Sequence, residues 1–247
     1  MMDKKLIVNE FNRIKALGYL KSRRIHNTGI GKTFEDYLGV DENNNKAPDF
    51  AGFEVKSKRA ETSSYLTLFT KSPSQPPKVN TYLRDTYGES YKDNPNLKRL
   101  HTSIFSNKCN TYRGIYGFII INDKVNKRVV IEIKNLQSNE VDRSAYWTYE
   151  ELDTCLNSKL KALFFVYADS KIENGEEYFH YTKAEIYLKP SISKLLQLID
   201  DGKLMIDIRI GSYKSGKNKG KPHDHGTGFR IKPADLYSLY EEKIEIR

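Results

Sequence analysis

The stretch APDFAGFEVKS, residues 47–57, holds a short pattern of charged side chains that decides how the rest of the chain is interpreted. Asp49 follows a proline, and a single apolar residue separates Glu54 from Lys56. Alternate side chains of a strand share a face, so Glu54 and Lys56 are predicted to point one way while their apolar neighbours point into the core. The proline predicts a bend before the strand, which brings the Asp49 carboxylate close to that of Glu54.

These groups have the chemistry of a site that hydrolyses a phosphodiester. Two carboxylates that meet at one point bind a hard cation such as Mg²⁺ and leave coordination positions for water and phosphate. The neighbouring ammonium of Lys56 can stabilise developing negative charge or hold an attacking water deprotonated. Glu35, near the start of a helix predicted from KTFEDYLGV, could add a further carboxylate at the edge of the site.

A second stretch, IEIK at residues 131–134, offers a rival pattern. Glu132 and Lys134 are predicted to share a strand face, and Asp123 lies at the turn upstream. A Glu-x-Lys pair in a strand is usually an ordinary surface ion pair. Since Asp123 sits in a charged hairpin turn and no acid on a helix precedes it, the first site is favoured.

The stretch HNTGIGKTFED, residues 26–36, resembles a nucleotide-binding loop only at its end. The loop pattern G-x-x-x-x-G-K-[ST] needs a first glycine so that the backbone can wrap the phosphates, and His26 stands in that place. The preceding segment LKSRRIHN is also too charged for the buried strand that should lead into such a loop. We therefore do not expect a nucleotide hydrolase.

Composition sets the broad class of the protein. The 247 residues are enough for one large domain or two small lobes, and 41 basic against 32 acidic residues give a net charge of +9, which attracts polyanions, chiefly nucleic acid. No apolar run approaches the ~20 residues of a membrane span, and the N-terminus lacks a signal-peptide pattern. A cytoplasmic protein is expected. A disulfide between Cys109 and Cys155 is possible, but two buried free thiols in a reducing cytoplasm are favoured.

Helices and strands mix without an internal repeat, which predicts an α/β or α+β fold. Helices are predicted near residues 3–17, 32–40, 149–160 and 191–203. Strands are predicted near residues 53–57, 65–71, 115–122, 128–135, 162–170, 204–210 and 226–232. Residues 80–112 are polar and ambiguous.

Several blocks of sequence, in the same order, resemble one family of nucleases. They are NTGIGKTFED, APDF with FEVKS, LTLFTKSP, NTYLRDTYG, DSKIEN and DIRIGSYKSGKNKGKPHDHGTGFRI. The chain resembles the MvaI/BcnI group of restriction endonucleases, relatives of the MutH mismatch-repair nickase within the PD-(D/E)XK nucleases. The resemblance implies one endonuclease domain over residues 1–247, with a restriction-endonuclease-like PD-(D/E)XK core and a mixed sheet. It further implies two lobes that form a DNA cleft, a catalytic lobe at about residues 1–80 and a DNA-recognition lobe at about residues 100–247.

The resemblance also implies an activity. Asp49, Glu54, Lys56 and Glu35 would be the catalytic residues, and Asp49, Glu54 and Val55 would hold Mg²⁺. The enzyme would be a type II restriction endonuclease that cuts double-stranded DNA as a monomer, one strand at a time, at a short and nearly palindromic site flanked by C:G pairs. CCWGG is the first expectation for that site and CCSGG the second. A cognate DNA methyltransferase is expected genetically rather than as a bound partner.

The block DIRIGSY is predicted to read bases. Asp207 and Arg209 share a strand face, about 7 Å apart along it. A carboxylate can accept from the cytosine amino group and a guanidinium can grip guanine O6 and N7, while the lysines that follow suit phosphates. The DNA-contacting residues that the resemblance implies are Asp207, Arg209, Tyr213, His223, Asp224, His225 and Arg230.

Arg84, in TYLRDTYG, is a second candidate for a DNA contact, although that segment could equally be an ordered surface loop. The HDHG stretch places two histidines close together, but no further ligand lies at zinc spacing. Two other functions remain open from the sequence. One is a MutH-like nickase of mismatch repair, which shares the chemistry, and the other is a DNA-binding regulator without catalysis.

Overall fold

A computed structural model describes residues 2–40, 48–61, 63–224 and 226–246. The chain divides into two compact units. The first consists of Met1–Ser64, Leu156–Ser191 and Tyr237–Arg247, and the second of Tyr65–Cys155 and Ile192–Leu236. None of the helices in the described part of the chain is long and apolar enough to cross a membrane.

The elements follow one another as α1 (Lys4–Ala16), β1 (Leu20–Lys21), α2 (Gly29–Leu38), β2 (Glu54–Arg59), β3 (Leu66–Thr70), α3 (Val79–Tyr87), β4 (Glu89–Ser90), β5 (Lys98–Ile104), β6 (Asn110–Tyr112), β7 (Tyr116–Asp123), β8 (Arg128–Asn135), β9 (Val141–Thr148), α4 (Tyr149–Lys159), β10 (Ala162–Glu173), β11 (Glu176–Pro190), α5 (Ile192–Asp200), β12 (Leu204–Ser212), β13 (Pro222–Asp224), β14 (Gly228–Ile231), a 3₁₀ helix (Pro233–Leu239) and β15 (Tyr240–Ile246).

The first unit is built on a mixed sheet with the strand order β1-β11-β10-β2, and β15 also pairs with β11. Strands β10 and β11 form a long antiparallel hairpin, whereas β2 runs parallel to β10, with Glu54 opposite Leu163 and Lys56 opposite Phe165. Helix α1 buries Ile7, Phe11 and Ile14, whose spacing places them on one face. These side chains share a core with residues from α2, β2, β10 and β11.

The second unit contains two sheets. One has the order β3-β14-β12-β5-β4, with β13 paired to β12, and the other is the antiparallel meander β6-β7-β8-β9. Strand β12 is central to the first sheet, between β14 and β5. Its position fixes the place of Asp207 and Arg209, which lie near the middle of that strand.

Most of the elements predicted from the pattern are confirmed, among them α1, α2, β2, the β7–β8 hairpin, α4, β10, α5, β12 and β14. The ambiguous residues 80–112 hold most of α3 together with β4, β5 and β6. The units have other boundaries than the predicted lobes. Because β10, β11 and β15 join β2 in one sheet, residues 156–191 and 237–247 belong with the N-terminal segment, while residues 65–80 belong to the second unit. Cys109 and Cys155 form no disulfide, as predicted, but Cys109 is exposed and Cys155 is only partly buried, whereas the sequence predicts two buried thiols.

Candidate active site

A two-residue turn brings the charged groups of the first pattern together. Phe50 and Phe53 exchange two backbone hydrogen bonds, N–H of Phe53 to O of Phe50 at 2.8 Å and the reverse at 3.1 Å. Between them Ala51 (φ 50°) and Gly52 (φ 82°) both have positive φ, as a tight hairpin turn of this kind requires. The turn reverses the chain directly after Asp49 and directly before β2.

Asp49 is tied to the strand that carries the other two groups. The Val55 amide donates a hydrogen bond to its Oδ2 at 2.8 Å. Although the residue as a whole is exposed, neighbouring atoms remove part of the water from its carboxylate, and this desolvation raises the pKa of Asp49. The charge of Glu54 also raises this pKa, whereas the Val55 hydrogen bond, Lys56 and Lys159 lower it.

Glu54 and Lys56 lie on one face of β2, as alternation predicts, and form an ion pair with 3.0 Å between Lys56 Nζ and Glu54 Oε1. Both side chains are mostly covered, with exposed fractions of 13% for Glu54 and 19% for Lys56. A partly buried ammonium next to two carboxylates can organise a water or a phosphate oxygen at the same point. The prediction that Asp49, Glu54 and Lys56 converge is therefore supported by the geometry.

The donor chemistry of this point fits a hard divalent cation. The charge of Glu54 is close enough to raise the pKa of Asp49, and a bound cation would relieve that repulsion. Within the described ranges, no three His, Cys, Asp or Glu side chains form a ready-made metal cluster. A cation here would thus draw its remaining ligands from backbone oxygen, water or substrate, as Mg²⁺ commonly does. The Val55 carbonyl stays a predicted ligand.

Glu35 lies on α2, the helix that packs against β2. Its Oε1 would be 3.7 Å from a Cβ placed at Gly31, so the carboxylate lies along the N-terminal part of its own helix. The role of Glu35 as the supporting acid stays a prediction.

The GIGK segment is the first turn of α2 and not a phosphate-wrapping loop. Lys32 donates to Asp36 Oδ1 at 2.6 Å, one helical turn away. Gly29 is needed because a Cβ there would come within 2.3 Å of the Arg24 carbonyl oxygen. Gly29 thus serves close packing at a helix start.

The rival pattern in β8 is held by structural partners. Glu132 accepts from Arg143 of β9 with 2.7 Å between Nε and Oε2. Asp123 accepts from Asn126 and Arg128 within its turn, and the Asn126 side-chain hydrogen bond, ahead of Arg128, lowers the pKa of Asp123 to about 2. These contacts are those of a surface ion pair and a turn, which agrees with the lower rank given to this pattern.

Asp207 is placed differently from its predicted role in direct base contact. Its side chain is fully buried, and it forms ion pairs with Arg209 (2.8 Å) and Arg230 (2.9 Å) through different carboxylate oxygens. Ser103 of β5, directly opposite in the sheet, donates to the same carboxylate at 2.8 Å. Both arginines keep about a third of their side chains exposed, at 39% and 33%. Asp207 therefore fixes two guanidinium groups that can face a ligand.

A small residue makes this arrangement possible. Gly228 of β14 is the residue paired with Asp207, and a Cβ there would lie 3.0 Å from Arg230 Nε. Its hydrogen leaves room for the Arg230 side chain to pass over the strand toward Asp207. Sequence reasoning missed Ser103, and also His101, the residue paired with Arg209, because the partner of β12 lies about a hundred residues upstream and carries no local signal.

Arg84 is also placed differently from its prediction as a DNA contact. Only 6% of the residue is exposed, and its guanidinium donates to Asp85, to Ser212 Oγ and to the Gly220 carbonyl. The spacing of apolar residues in a helix shows which face points inward, but it does not show that an arginine will be covered by a distant loop. Arg84 is therefore an internal anchor in the second unit.

The remaining predicted DNA contacts lie at the end of the same sheet. Tyr213 follows β12 and its ring stacks on that of His223, with 4.4 Å between centroids and 25° between planes. Tyr213 is 38% exposed. Asp224 ends β13, and His225 lies outside the described residues.

Comparison with known proteins shows the family of the chain. A sequence model of the MvaI/BcnI restriction endonuclease family matches residues 8–240. The chain belongs to the MvaI/BcnI restriction endonuclease family. A solved structure described as "Restriction endonuclease MvaI-cognate DNA substrate complex" is 37% identical, covers 100% of both chains and has a TM-score of 0.88. Another, "Restriction endonuclease MvaI in the absence of DNA", is 38% identical over 100% of this chain and 99% of the other, with a TM-score of 0.67. No curated protein matches the chain.

Membership of the MvaI/BcnI family makes the chain a site-specific DNA hydrolase. The mixed α+β architecture predicted from the sequence is confirmed by the same similarity. A regulator without catalysis is a poor match to a restriction endonuclease family, and the assembled carboxylates and lysine of the first unit speak against it as well.

Proposed function

We propose that this protein is a type II restriction endonuclease that hydrolyses phosphodiester bonds of duplex DNA with Mg²⁺. The observation that carries the proposal is the convergence of Asp49, Glu54 and Lys56 through one turn and one strand face in a chain of this family. The proposed site of cleavage is short, nearly palindromic and flanked by C:G pairs, with CCWGG the first expectation and CCSGG the second.

Each side chain has a task that follows from its surroundings. Asp49 and Glu54 would hold the cation, which supplies Lewis-acid stabilisation of the phosphate and a more acidic water when bound. The Lys56 ammonium, held 3.0 Å from Glu54, is placed to orient a water for in-line attack and to stabilise negative charge on the phosphate oxygens. The Val55 amide would hold the Asp49 carboxylate against the start of β2, next to Glu54 in the chain.

Base recognition is assigned to the arginines of the second unit. A guanidinium held by a buried carboxylate presents its remaining donors in one plane, which suits guanine O6 and N7 in the major groove. The MvaI structure with its cognate DNA substrate supports DNA as the ligand of this chain too. A monomeric state, strand-by-strand nicking, a cytoplasmic location, a DNA cleft formed by two lobes and a genetically associated methyltransferase stay predictions.

Digestion of a supercoiled plasmid of known sequence with Mg²⁺, followed by sequencing of the ends, tests the proposal. Discrete linear fragments with ends in CCWGG support it, and ends in CCSGG support the second expectation for the site. EDTA and the Asp49→Asn variant serve as controls that should leave the plasmid intact. A nicked circle that is never linearised at high enzyme concentration would indicate a MutH-like nickase, and an intact plasmid under all conditions would overturn the proposal.

A further inference from the structure

The buried guanidinium of Arg84 has no place in the chemistry described so far. It lies near the end of α3 with 6% of the residue exposed, a rare situation for an arginine unless its donors are satisfied. Its Nε binds Asp85 Oδ1 at 2.8 Å, and its Nη1 donates to Ser212 Oγ and to the Gly220 carbonyl, both at 3.0 Å. One nitrogen thus connects two segments of chain.

Those two segments are the stems of one loop. Ser212 is the last residue of β12, and Gly220 lies just before β13, so the loop between them spans residues 213–221. Within the loop, the Tyr213 amide donates to the Lys221 carbonyl at 3.1 Å and the Gly220 amide donates to the Tyr213 carbonyl at 2.9 Å. Arg84 binds both ends of this loop, at Ser212 and Gly220, and these two ends are here called the neck of the loop. Gly220 has a φ of 84°, so its carbonyl is aimed by a backbone conformation that favours glycine.

A second set of contacts supports the neck. Ser212 Oγ donates onward to the Lys98 carbonyl at 2.6 Å, and Lys98 Nζ donates to the Asp85 carbonyl at 2.6 Å. Hydrogen bonds therefore connect α3 to β12 through Arg84, β12 to β5 through Ser212, and β5 back to α3 through Lys98. A closed network of this kind leaves a side chain few alternative positions.

The loop carries one of the predicted DNA contacts. Its first residue, Tyr213, directly follows Ser212, and its ring stacks on that of His223 in β13, a second predicted contact. Arg209 lies on the same strand, three residues before Ser212. A shift of the neck would therefore move the Tyr213–His223 pair relative to Arg209.

We propose that Arg84 is a positioning residue for sequence discrimination: it locks the neck of the 213–221 loop so that Tyr213 and His223 are held in register with the base-reading arginines. The inference rests on the proposed function and deepens it. The role favours arginine, because the rigid planar guanidinium holds Nη1 between both acceptors while its Nε donates to Asp85, whereas a lysine carries a single nitrogen on a flexible stem. Arg84 itself touches no DNA in this assignment.

The test uses Arg84→Lys, with Ser212→Ala as a second variant that removes one acceptor, and Arg128→Lys as a matched control. Arg128 pairs with Asp123 at 2.8 Å in the β7–β8 hairpin of the same unit, away from the loop. Three readouts are compared: the rate of trypsin cleavage at the loop lysines, the ratio of kcat/KM on the cognate site to that on sites with one base pair changed, and the salt dependence of DNA binding. Thermal unfolding reports whether each variant is folded.

We expect faster trypsin cleavage within residues 213–221 in Arg84→Lys and Ser212→Ala but not in Arg128→Lys. The discrimination ratio should fall by about tenfold or more, the order of one lost base contact, while the turnover rate at saturating cognate DNA stays close to wild type. The slope of log affinity against log salt should not change. A slope reduced by about 0.9, with equal weakening on all sequences, would show instead that Arg84 contacts a phosphate.

Trypsin cleavage separates this inference from the proposed function. If the wild type cuts no DNA site, the proposed function fails, while loop protection still shows whether Arg84 anchors the neck. If the wild type cuts specifically but both variants keep its protease resistance and its discrimination ratio, the inference is overturned and the proposed function stands. Should Arg84→Lys fail to fold, Ser212→Ala decides with the same readouts.

Discussion

The Val55 amide donates its hydrogen to the Oδ2 atom of Asp49 at 2.8 Å, so the acid before the turn is fixed to the strand after it. This one hydrogen bond converts two separate pieces of sequence into a single site. The charge of nearby Glu54 adds to the desolvation that raises the pKa of Asp49. Without a cation, the two carboxylates therefore repel each other.

Asp49→Asn should stabilise the metal-free protein at neutral pH. Desolvation first, and Glu54 in addition, raise the pKa of Asp49 above its ordinary value of 3.8, so the folded protein binds this proton more tightly than the unfolded chain does. Stability should then fall as pH rises from near 3.8 through the raised pKa, and the substitution should remove that fall. Thermal unfolding in EDTA across this range measures both. Equal melting temperatures at all pH values would contradict the assignment.

Mg²⁺ should make the wild type more stable than Asp49→Asn, the reverse of their order in EDTA. In the proposed site the wild type would bind the cation through Asp49 and Glu54, and a ligand that binds only the folded state raises its stability. Because the pKa of Asp49 is raised, protons compete with Mg²⁺ for its carboxylate, and the stability gained from Mg²⁺ should shrink as pH falls toward 3.8. Titration of Mg²⁺ at several pH values, with Asp49→Asn as the control, provides the measurement. A gain of the same size in the variant would place the cation elsewhere.

Lys56→Ala should cut cognate DNA at least about 100-fold more slowly, the usual loss when a group that stabilises charge or orients the nucleophile is removed. Binding of cognate DNA in Ca²⁺ should remain, since the proposed base-reading groups are in the second unit. Single-turnover cleavage and a filter-binding assay on the same oligonucleotide separate the two. Cleavage within a factor of a few of the wild-type rate would remove Lys56 from the active site.

Glu132→Ala should leave cleavage largely intact. Glu132 bonds Arg143 across the β8–β9 pair, and the 63% exposed Arg143 side chain makes this a surface ion pair whose loss is worth only about 0–1 kcal/mol. Plasmid cleavage by Glu132→Ala and Glu54→Ala, made side by side, compares the two Glu-x-Lys patterns directly. Loss of activity in the first variant with activity kept in the second would exchange the two assignments.

The sequence predicts the local part of the candidate active site well. Alternation in β2 places Glu54 and Lys56 on one face, and a tight turn at Ala51 and Gly52, rather than a bend at the proline, brings Asp49 next to them. All three placements depend on backbone geometry within a few residues. Lys159, which lowers the pKa of Asp49 from a distant part of the chain, carries no such signal. Its approach depends on β10 running parallel to β2, and the pairing of strands so far apart is not encoded in either stretch.

Burial of charged side chains is the other feature that the pattern does not reveal. Asp207 shares a strand face with Arg209, as alternation predicts, yet two arginines and Ser103 cover it completely. Arg84 sits in a polar segment that resembles an exposed loop, yet the neck of a distant loop covers it. For Asp207 the alternation of the strand gives the direction of the side chain, whereas for Arg84 the sequence gives no clear direction. In both cases the packing of remote segments decides which groups surround the side chain and how far it is buried.

Asp207→Asn and Arg209→Ala should together show that the buried carboxylate acts through the arginines. Arg209→Ala is expected to weaken cognate binding by ~1–3 kcal/mol and to relax discrimination at one base pair. Asp207→Asn keeps the shape but removes the charge that holds Arg209 and Arg230, so it should relax discrimination as well and destabilise the fold by up to about 3 kcal/mol, the lower end for a buried pair because both arginines reach solvent. If Asp207 works by positioning, the double variant should lose much less binding free energy than the two single losses added together. Competition binding with cognate and one-base-changed duplexes measures all three proteins. Strictly additive losses would mean that Asp207 reads a base on its own, as the sequence first suggested, and that the ion pairs are incidental to recognition.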